Sequence, residues 1–467
     1  MPINSFTDYP MNWKPNSAEL KSPLYTSIAE KLESDIKSGV LTPGTKLPPQ
    51  RELADYLNVN LSTISRAFRL CTQKGLICAT IGNGTFVSSD AGLNTYLLKE
   101  DSFPQIIEMG AVFPESEPYD EITEQIKRML IEPHFGKLFD YGRPEGTFWQ
   151  KEAAAKLLKK AGYDANPQNI LLTSGGQNTL AAILASLFKP GDRIGTDPVT
   201  FPGIKTAASM LGIQLIPIKQ ENNEIARDGL LFACKNENIK GLYLIPDYQN
   251  PTTHTMSGST RKTIADIARS NNLIVIEDAA LSLMAENIPA PIAAYAPKNT
   301  LYVSSLSKVI APGIRLAYVA TPTIYTKKLS EALYNINISV SPMMAELATR
   351  LIISGTADKI VERHRVYTKT QNQIVNSYIS GYPVLGEPEC MFRWLILPER
   401  FTGESFEAEA FRAGVRVYAA ERFTVGKAKP IRAVRLAVTA SGSSTKLEEA
   451  LNIIRNILEN DEGYALY

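Results

Sequence analysis

The chain has 467 residues, which at roughly 100–200 residues per domain means more than one domain and excludes a single small module. With 44% hydrophobic and 21% charged residues and 29 each of Gly and Pro, it is globular rather than disordered, collagenous or disulfide-dense. Lys+Arg total 49 against 48 Asp+Glu, a formal charge of +1, so affinity for nucleic acid has to come from a local patch and not from a global field.

Residues 1–20 read as an N-terminal extension, with Met11 as a second candidate start. Residues 21–88 carry the local patch: Lys21, Lys31, Lys37, Lys46, Arg51, Arg66, Arg69 and Lys74 against Glu30, Glu33, Asp35, Glu52 and Asp55. Leu24, Ile28, Leu32 and Ile36 recur at i, i+4 and predict a helix stopped by Gly39. A second helix is expected from about Pro49 to Leu57, with Leu53, Ala54 and Leu57 inward. A third runs from near Ser62 to Lys74, burying Ile64, Ala67, Phe68 and Cys71 while Ser62, Thr63, Ser65, Arg66 and Arg69 face outward. Two β-prone runs then flank Asn83-Gly84, a dipeptide suited to a hairpin turn that needs positive φ at both central residues. Helix-turn-helix plus hairpin is a winged helix, which lays its third helix in the major groove of duplex DNA. Lys46 and Arg51 would then meet the backbone, Ser62, Thr63, Ser65 and Arg66 the groove, and Gly82 and Gly84 the wing tip. Without further support, the same pattern also fits a three-helix packing module with solvated charges.

Residues 89–107 read as a linker. From residue 108 to 467 short apolar runs alternate with amphipathic stretches: NILLT, DRIGT, QLIPI, GLYLIP, LIVIED and TLYVSS. Repeated βα units predict an α/β fold with a mostly parallel, doubly wound sheet. Beyond Ile379 the runs RWLILP, VRVYA and VRLAVT predict a smaller α+β part. In such sheets ligands bind beyond the carboxyl ends of the strands. Lys308 follows TLYVSS there as a carbonyl-capturing amine of depressed pKa, and Asp278 closes LIVIED as the partner of a protonated ring nitrogen, or else as a helix cap. Ser174-Gly175-Gly176-Gln177 opens a helix whose N–H groups favour a phosphate, Arg315 adds a cation, and Asn250 in DYQNPT would donate to a ring hydroxyl or merely mark a turn. The cysteines at 71, 78, 234 and 390 form no CxxC and no cluster with His134, His254 or His364, so neither metal nor disulfide is expected. No basic segment leads an apolar one at the N-terminus and no run of 18 apolar residues occurs, so a cytoplasmic protein without a membrane span is expected.

Two resemblances follow. LYTSIAEKLESDIKSGVLTPGTKLPPQRELADYLNVNLSTISRAFRL with KGLICATIGNGTFV resembles the winged-helix head of GntR-type bacterial regulators, except that Leu61 stands where such heads often have Arg. SGGQ, TFPG, DYQNPT, IED, SSLSK, PGIR and VRLAV, in that order, resemble fold-type I, class I aminotransferases over residues 108–465. A head and body so joined are similar to the MocR-type transcriptional regulators. The resemblance implies pyridoxal 5′-phosphate as cofactor, with Lys308 holding its aldehyde as an imine, Asp278 at the pyridine nitrogen and Asn250 at the phenolate oxygen. It further implies Phe201 stacked on the ring, Gly175, Gly176, Gln177, Ser305, Ser307 and Arg315 around the phosphate, Tyr141 reaching a neighbouring subunit's phosphate, and Arg435 gripping an amino-acid carboxylate. Ala279, Ala280 and Leu281 follow Asp278 where the family carries a Tyr, and Ala419-Ala420 replace a frequent Pro-Gly before Phe423. The implied protein is a regulator that binds an operator in double-stranded DNA as a homodimer, with heads swapped between bodies, and senses an amino acid or related amine. Its rivals are a working aminotransferase with a DNA-binding head and a regulator whose body holds no cofactor.

Overall fold

The computed structural model describes residues 11–37, 40–41, 45–74, 76–80, 84–87, 106–115, 119–426 and 428–459. The basic N-terminal part is a winged helix: helices Leu24–Lys37, Gln50–Tyr56 and Leu61–Gln73, then antiparallel strands Ile77–Thr80 and Gly84–Val87. Ile28, Leu32, Ile36, Leu53, Ala54, Leu57, Ile64, Ala67, Phe68 and Cys71 pack into one core, so the helical periodicity located the buried faces except at Leu24, which opens the first helix exposed. The third helix starts a residue earlier than expected because the Asn60 side chain accepts the Ser62 N–H at 3.0 Å and caps it. A third short stretch joins the hairpin: Lys46 bridges Phe86, and Leu47 N–H donates to Thr85 C=O at 2.8 Å. Gly82 and Asn83 lie outside the described residues.

The segment read as an extension does not stand apart from this head. Trp13 is 3% exposed inside the head's core, and its indole N–H donates to Asp35 Oδ2 at 2.9 Å. A lone Trp in a stretch without hydrophobic period gives no helix or strand signal; tertiary packing recruits it. Truncating a buried Trp to Ala costs about 3–5 kcal/mol, so Trp13 bears on the head's stability.

The body is built on a seven-stranded sheet in the order Ile170–Thr173, Ala317–Ala320, Thr300–Ser305, Ile274–Asp278, Gly241–Leu244, Arg193–Thr196, Gln214–Pro217. All six apolar runs became strands, parallel to one another wherever they are adjacent. The strand not foreseen, Ala317–Ala320, runs antiparallel between the first and third in that order. It begins where its neighbours end, so the turn before it is held at the carboxyl rim of the sheet. A second, four-stranded antiparallel sheet (Val384–Leu385, Phe392–Ile396, Ala433–Ala437, Tyr418–Ala419) forms the smaller part. VRVYA proved to be two strands: Val415–Arg416 pairs in parallel with Ile107–Glu108, and Tyr418–Ala419 joins the sheet.

One helix of 24 residues, Thr356–Ile379, spans both parts and is about 36 Å long. His364 on it faces Val309 C=O at 3.2 Å, whereas Asn372 donates to the carbonyls of Pro388 and Cys390 at 2.8 and 2.9 Å. Burial pushes the His364 imidazole down to about 4, so it holds this position neutral. Among the described residues no helix is long and apolar enough to cross a membrane.

Candidate functional site

Lys308 and Arg315 lie on one loop between Thr300–Ser305 and the antiparallel Ala317–Ala320, closed by Leu306 N–H donating to Leu316 C=O at 3.0 Å. Leu306, Val309, Ile310 and Ile314 sink into the core and fix the loop from below. Arg315 takes a left-handed conformation, φ 47°, which turns its side chain toward Ser307, whose Oγ accepts from Nη1 at 3.1 Å. The same guanidinium abuts Gly175: a Cβ there would lie 2.8 Å from Arg315 Nη2, and Gly175 has φ +94°. Glycine is therefore required on two counts, close approach and backbone sign. Gly176 sits beside Ser305, 3.4 Å from the Cβ it lacks to Ser305 Cβ, and opens the helix Gly176–Leu187. Helix N–H groups, Ser305, Ser307 and Arg315 thus converge into an anion-binding corner.

Lys308 Nζ donates to Val112 C=O and stands 5.4 Å from the Phe113 ring centroid. Desolvation, with the charges of Arg435 and Arg315 nearby, lowers its pKa to about 8. Asp278 ends its strand buried; burial raises its pKa, opposed by bonds from Tyr243 O–H to Oδ2 at 2.7 Å and Ala280 N–H to Oδ1 at 3.2 Å. Tyr243 pairs with Ile276, so Asp278, two residues on, points from the same face of the sheet.

Phe201 precedes the helix Pro202–Met210, and Gln177 Nε2 donates to Gly203 C=O at 2.8 Å. A side chain at Gly203 would strike both the Phe201 ring and Gln177 Oε1, so these three meet. The Gln177 side chain is thereby engaged, which leaves its main-chain N–H on the phosphate side.

Arg435, 2% exposed, is clamped by Nη1 donating to Asn250 Oδ1 at 2.6 Å and Nη2 to Gly110 C=O at 2.5 Å. Phe423, Phe392 and Tyr418 surround it at 4.8, 5.4 and 5.6 Å from guanidinium carbon to ring centroid. Burial brings its pKa down to about 10, and its buried Nε has no hydrogen-bond partner. A guanidinium this desolvated with a donor left over is built to receive an anion. Ala419 and Ala420, where the aminotransferase pattern has Pro-Gly, are buried in the strand and turn leading to Phe423.

Other expected residues lie apart. Tyr141 is 84% exposed and does not turn inward in its own subunit. His254 Nε2 faces Glu224 Oε1 at 3.2 Å, a loop contact away from the lysine. Among the described residues no group of His, Cys, Asp or Glu could hold a metal ion. On the head, Lys46, Arg51, Ser62 and Arg66 are exposed, Thr63 is half-buried, and Ser65 Oγ donates to Gln50 Oε1 at 2.8 Å, tying the third helix to the second. Arg66 lies over the Tyr25 ring at 4.2 Å, and Gly84 (φ +109°) begins the second wing strand. Leu61 is exposed at the start of the third helix.

Sequence reading missed Tyr243, Val112, Phe113 and Gly110. Tyr243 carried a signal, the lone polar-tipped residue in GLYLIP; the other three sit where chain segments far apart in sequence meet.

Comparison with known families now adds two matches: the class I and II aminotransferases over residues 105–454, and the bacterial regulatory proteins of the gntR family over residues 24–87. The chain is 52% identical over 460 residues, 98% of its length and 100% of the relative's, to the HTH-type transcriptional regulator YdeF of Bacillus subtilis. The chain belongs to the MocR-type transcriptional regulators. The HTH-type pyridoxine biosynthesis transcriptional regulator PdxR of Corynebacterium glutamicum is 22% identical over 77% of this chain and 79% of its own. Among solved structures, an archaeal alanine:glyoxylate aminotransferase superposes with TM-score 0.72 at 23% identity, covering 85% of this chain and 99% of that one. LysN, the α-aminoadipate aminotransferase of Thermus thermophilus complexed with N-(5′-phosphopyridoxyl)-L-leucine, gives 0.68 at 21%, covering 76% and 92%. The cofactor of this MocR-type body is pyridoxal 5′-phosphate, and the residues fit it: glycine at 175 lets the Arg315 guanidinium close on the start of the helix, a buried carboxylate waits at Asp278, and Lys308 is a depressed amine.

Proposed function

We propose that this regulator senses an amino acid or related amine in the pocket between Lys308 and Arg435 and transmits its occupancy to an operator-binding head. The carrying observation is Arg435: buried, clamped by Asn250 and Gly110, and left with an unpartnered Nε. Bound pyridoxal phosphate supplies an aldehyde that bonds amines reversibly and a ring that withdraws electrons when protonated. Lys308, depressed to about 8, offers a neutral amine near neutral pH. Asp278, oriented by Tyr243 and the Ala280 N–H, holds the ring nitrogen's proton. Gly175, Gly176, Gln177, Ser305, Ser307 and Arg315 hold the phosphate, Phe201 covers the ring, and Asn250 serves both the ring oxygen and Arg435. Arg435 binds the effector's carboxylate.

The head reads DNA through Lys46, Arg51, Ser62, Thr63, Ser65, Arg66 and the wing tip, and this sets the place of action in the cytoplasm. Two copies assemble through the apolar surface around Leu130, Ile131, Phe139, Phe148 and Trp149, all exposed here, which brings Tyr141 to the partner's phosphate corner. Within one chain the head touches its own body, Ser209 Oγ donating to Lys74 C=O at 3.3 Å, so the proposed dimer does not need the swapped heads that the resemblance implies. An effector that binds two arrangements of the heads unequally shifts their spacing on the operator.

A working aminotransferase is the second reading, favoured by the retained Lys308, Asp278 and Arg435. Against it, Ala279, Ala280 and Leu281 bring no hydroxyl, Tyr243 is engaged with Asp278, and Tyr248 O–H donates to Glu389 at 3.2 Å. Titrating the purified dimer with amino acids and small amines separates them. A shifted visible band with no sustained keto-acid release supports sensing; continuous release with conversion to the pyridoxamine form overturns it in favour of the enzyme. Protein purified with ample vitamin B6 and lacking any visible band would overturn both.

A further inference from the structure

Asn12 and Trp13 touch two separate elements of the head. Trp13 is buried in the helical core and bonded to Asp35 on the first helix, while Asn12 Nδ2 donates to Lys46 C=O at 3.1 Å on the strand that carries the wing. Pro15, two residues on, is buried as well. The anchorage closes on itself: Asp35 Oδ1 pairs with Lys31 at 3.1 Å, and Lys31 with Glu19 at 3.6 Å, at the far end of the same segment. Lys46 is in turn fastened to the wing, bridging Phe86, with its flanking residues bonded to Thr85 and Val87 at 2.8 and 2.9 Å. Its side chain passes the wing tip, Cε 3.1 Å from where a Cβ on Gly84 would lie. The gntR-family match runs from residue 24 to 87, so it includes Lys31, Asp35 and Lys46 but not the segment 12–19 that contacts them.

We propose that residues 12–15 are a strap that positions Lys46 and the wing against the DNA backbone, with Trp13 as its plug and Asn12 as its pin. A two-residue bridge from helix to wing strand removes the hinge freedom that a hairpin joined only at its base would have, so the Lys46 ammonium meets a phosphate without first being ordered. The inference rests on the reading of Lys46 as a DNA contact.

The test uses full-length holoprotein and a fluorescein-labelled 30-base-pair duplex of mixed sequence, with anisotropy titrations at several KCl concentrations. Lys46→Ala should weaken binding and flatten the plot of log K against log [salt] by about 0.9, one phosphate's worth. Asn12→Ala, which leaves the core intact and the thermal midpoint unchanged, should weaken binding roughly threefold and move the slope toward that of Lys46→Ala. The double variant should bind no more weakly than Lys46→Ala alone, because the pin acts through Lys46. Trp13→Phe, which keeps the plug but drops its N–H, should lie between wild type and Asn12→Ala. Wild-type binding by Asn12→Ala, or a double variant weaker than Lys46→Ala by the full Asn12→Ala factor, overturns the strap. Wild-type binding by Lys46→Ala would remove the underlying contact and the strap with it.

Discussion

Head and body both work with cations, but they keep them in opposite surroundings. Lys46, Arg51 and Arg66 are exposed, so in the proposed DNA contact they would act by displacing counterions, and salt would tune them. Lys308 and Arg435 are desolvated, which lowers both pKa values, so proton activity tunes the lysine and salt reaches it poorly. Like charges on opposite sides of the water boundary therefore respond to different variables, salt for the exposed set and protons for the buried lysine.

The contrast between exposed and buried cations has five measurable consequences. The largest effect belongs to Lys308→Ala, which should abolish both the visible imine band and the covalent pyridoxyl label that borohydride reduction leaves on the protein, while leaving duplex binding by the head intact; a label still fixed by borohydride would move the covalent site elsewhere. Next, Arg435→Ala should weaken the response to carboxylate-bearing amines by about 2–5 kcal/mol, roughly 30- to 5,000-fold, with the cofactor band retained. Lys at that position should restore little of the loss, since a point charge cannot reproduce a clamped fork.

Third, the apoprotein should take up pyridoxal phosphate with a rate that rises with pH to a midpoint near 8, because the lysine is neutral above its lowered pKa and protonated below it. Replacing Arg435 by Met should carry that midpoint upward by removing a repelling charge; a midpoint that stays put breaks the electrostatic account. The same lowering makes stability of the apoprotein rise with pH between about 8 and the ordinary lysine value of 10.5, since there the unfolded chain binds the extra proton. Fourth, Arg51→Ala and Arg66→Ala should each weaken operator binding and flatten its salt dependence by about 0.9, and an unchanged slope in both would strip them of that assignment. The smallest change is expected from Tyr25→Leu, which removes the ring under Arg66 and so about 0.5–1 kcal/mol of stacking, a two- to fivefold loss in duplex affinity.

Legibility followed the range of the interaction. The helices of the head and the six parallel strands could be read because their burial repeats every 3.6 or 2 residues, and glycines at 175 and 176 announced a tight approach. Ala317–Ala320 escaped because a run of four residues, two of them alanines, is too short to show a period; only its neighbours on both sides decide. The order of the candidate site residues was visible, but their orientation was not: that Arg435 leans on the Gly110 carbonyl or Lys308 on Val112 depends on contacts spanning 325 and 196 residues. Trp13 failed for the same reason, a single side chain whose meaning lies wholly in the cavity it fills.

The long helix Thr356–Ile379 carries a mechanical consequence. It rests on the carbonyl next to Lys308 through His364 and grips the small sheet through Asn372, so it is a lever with its fulcrum at the chemistry. From His364 to Ile379 the arm is roughly 22 Å, and a tilt of about 10° swings its tip by about 4 Å. Because Val375 and Ile379 at its far end are buried in the smaller part's core, any tilt of this helix would carry that part with it.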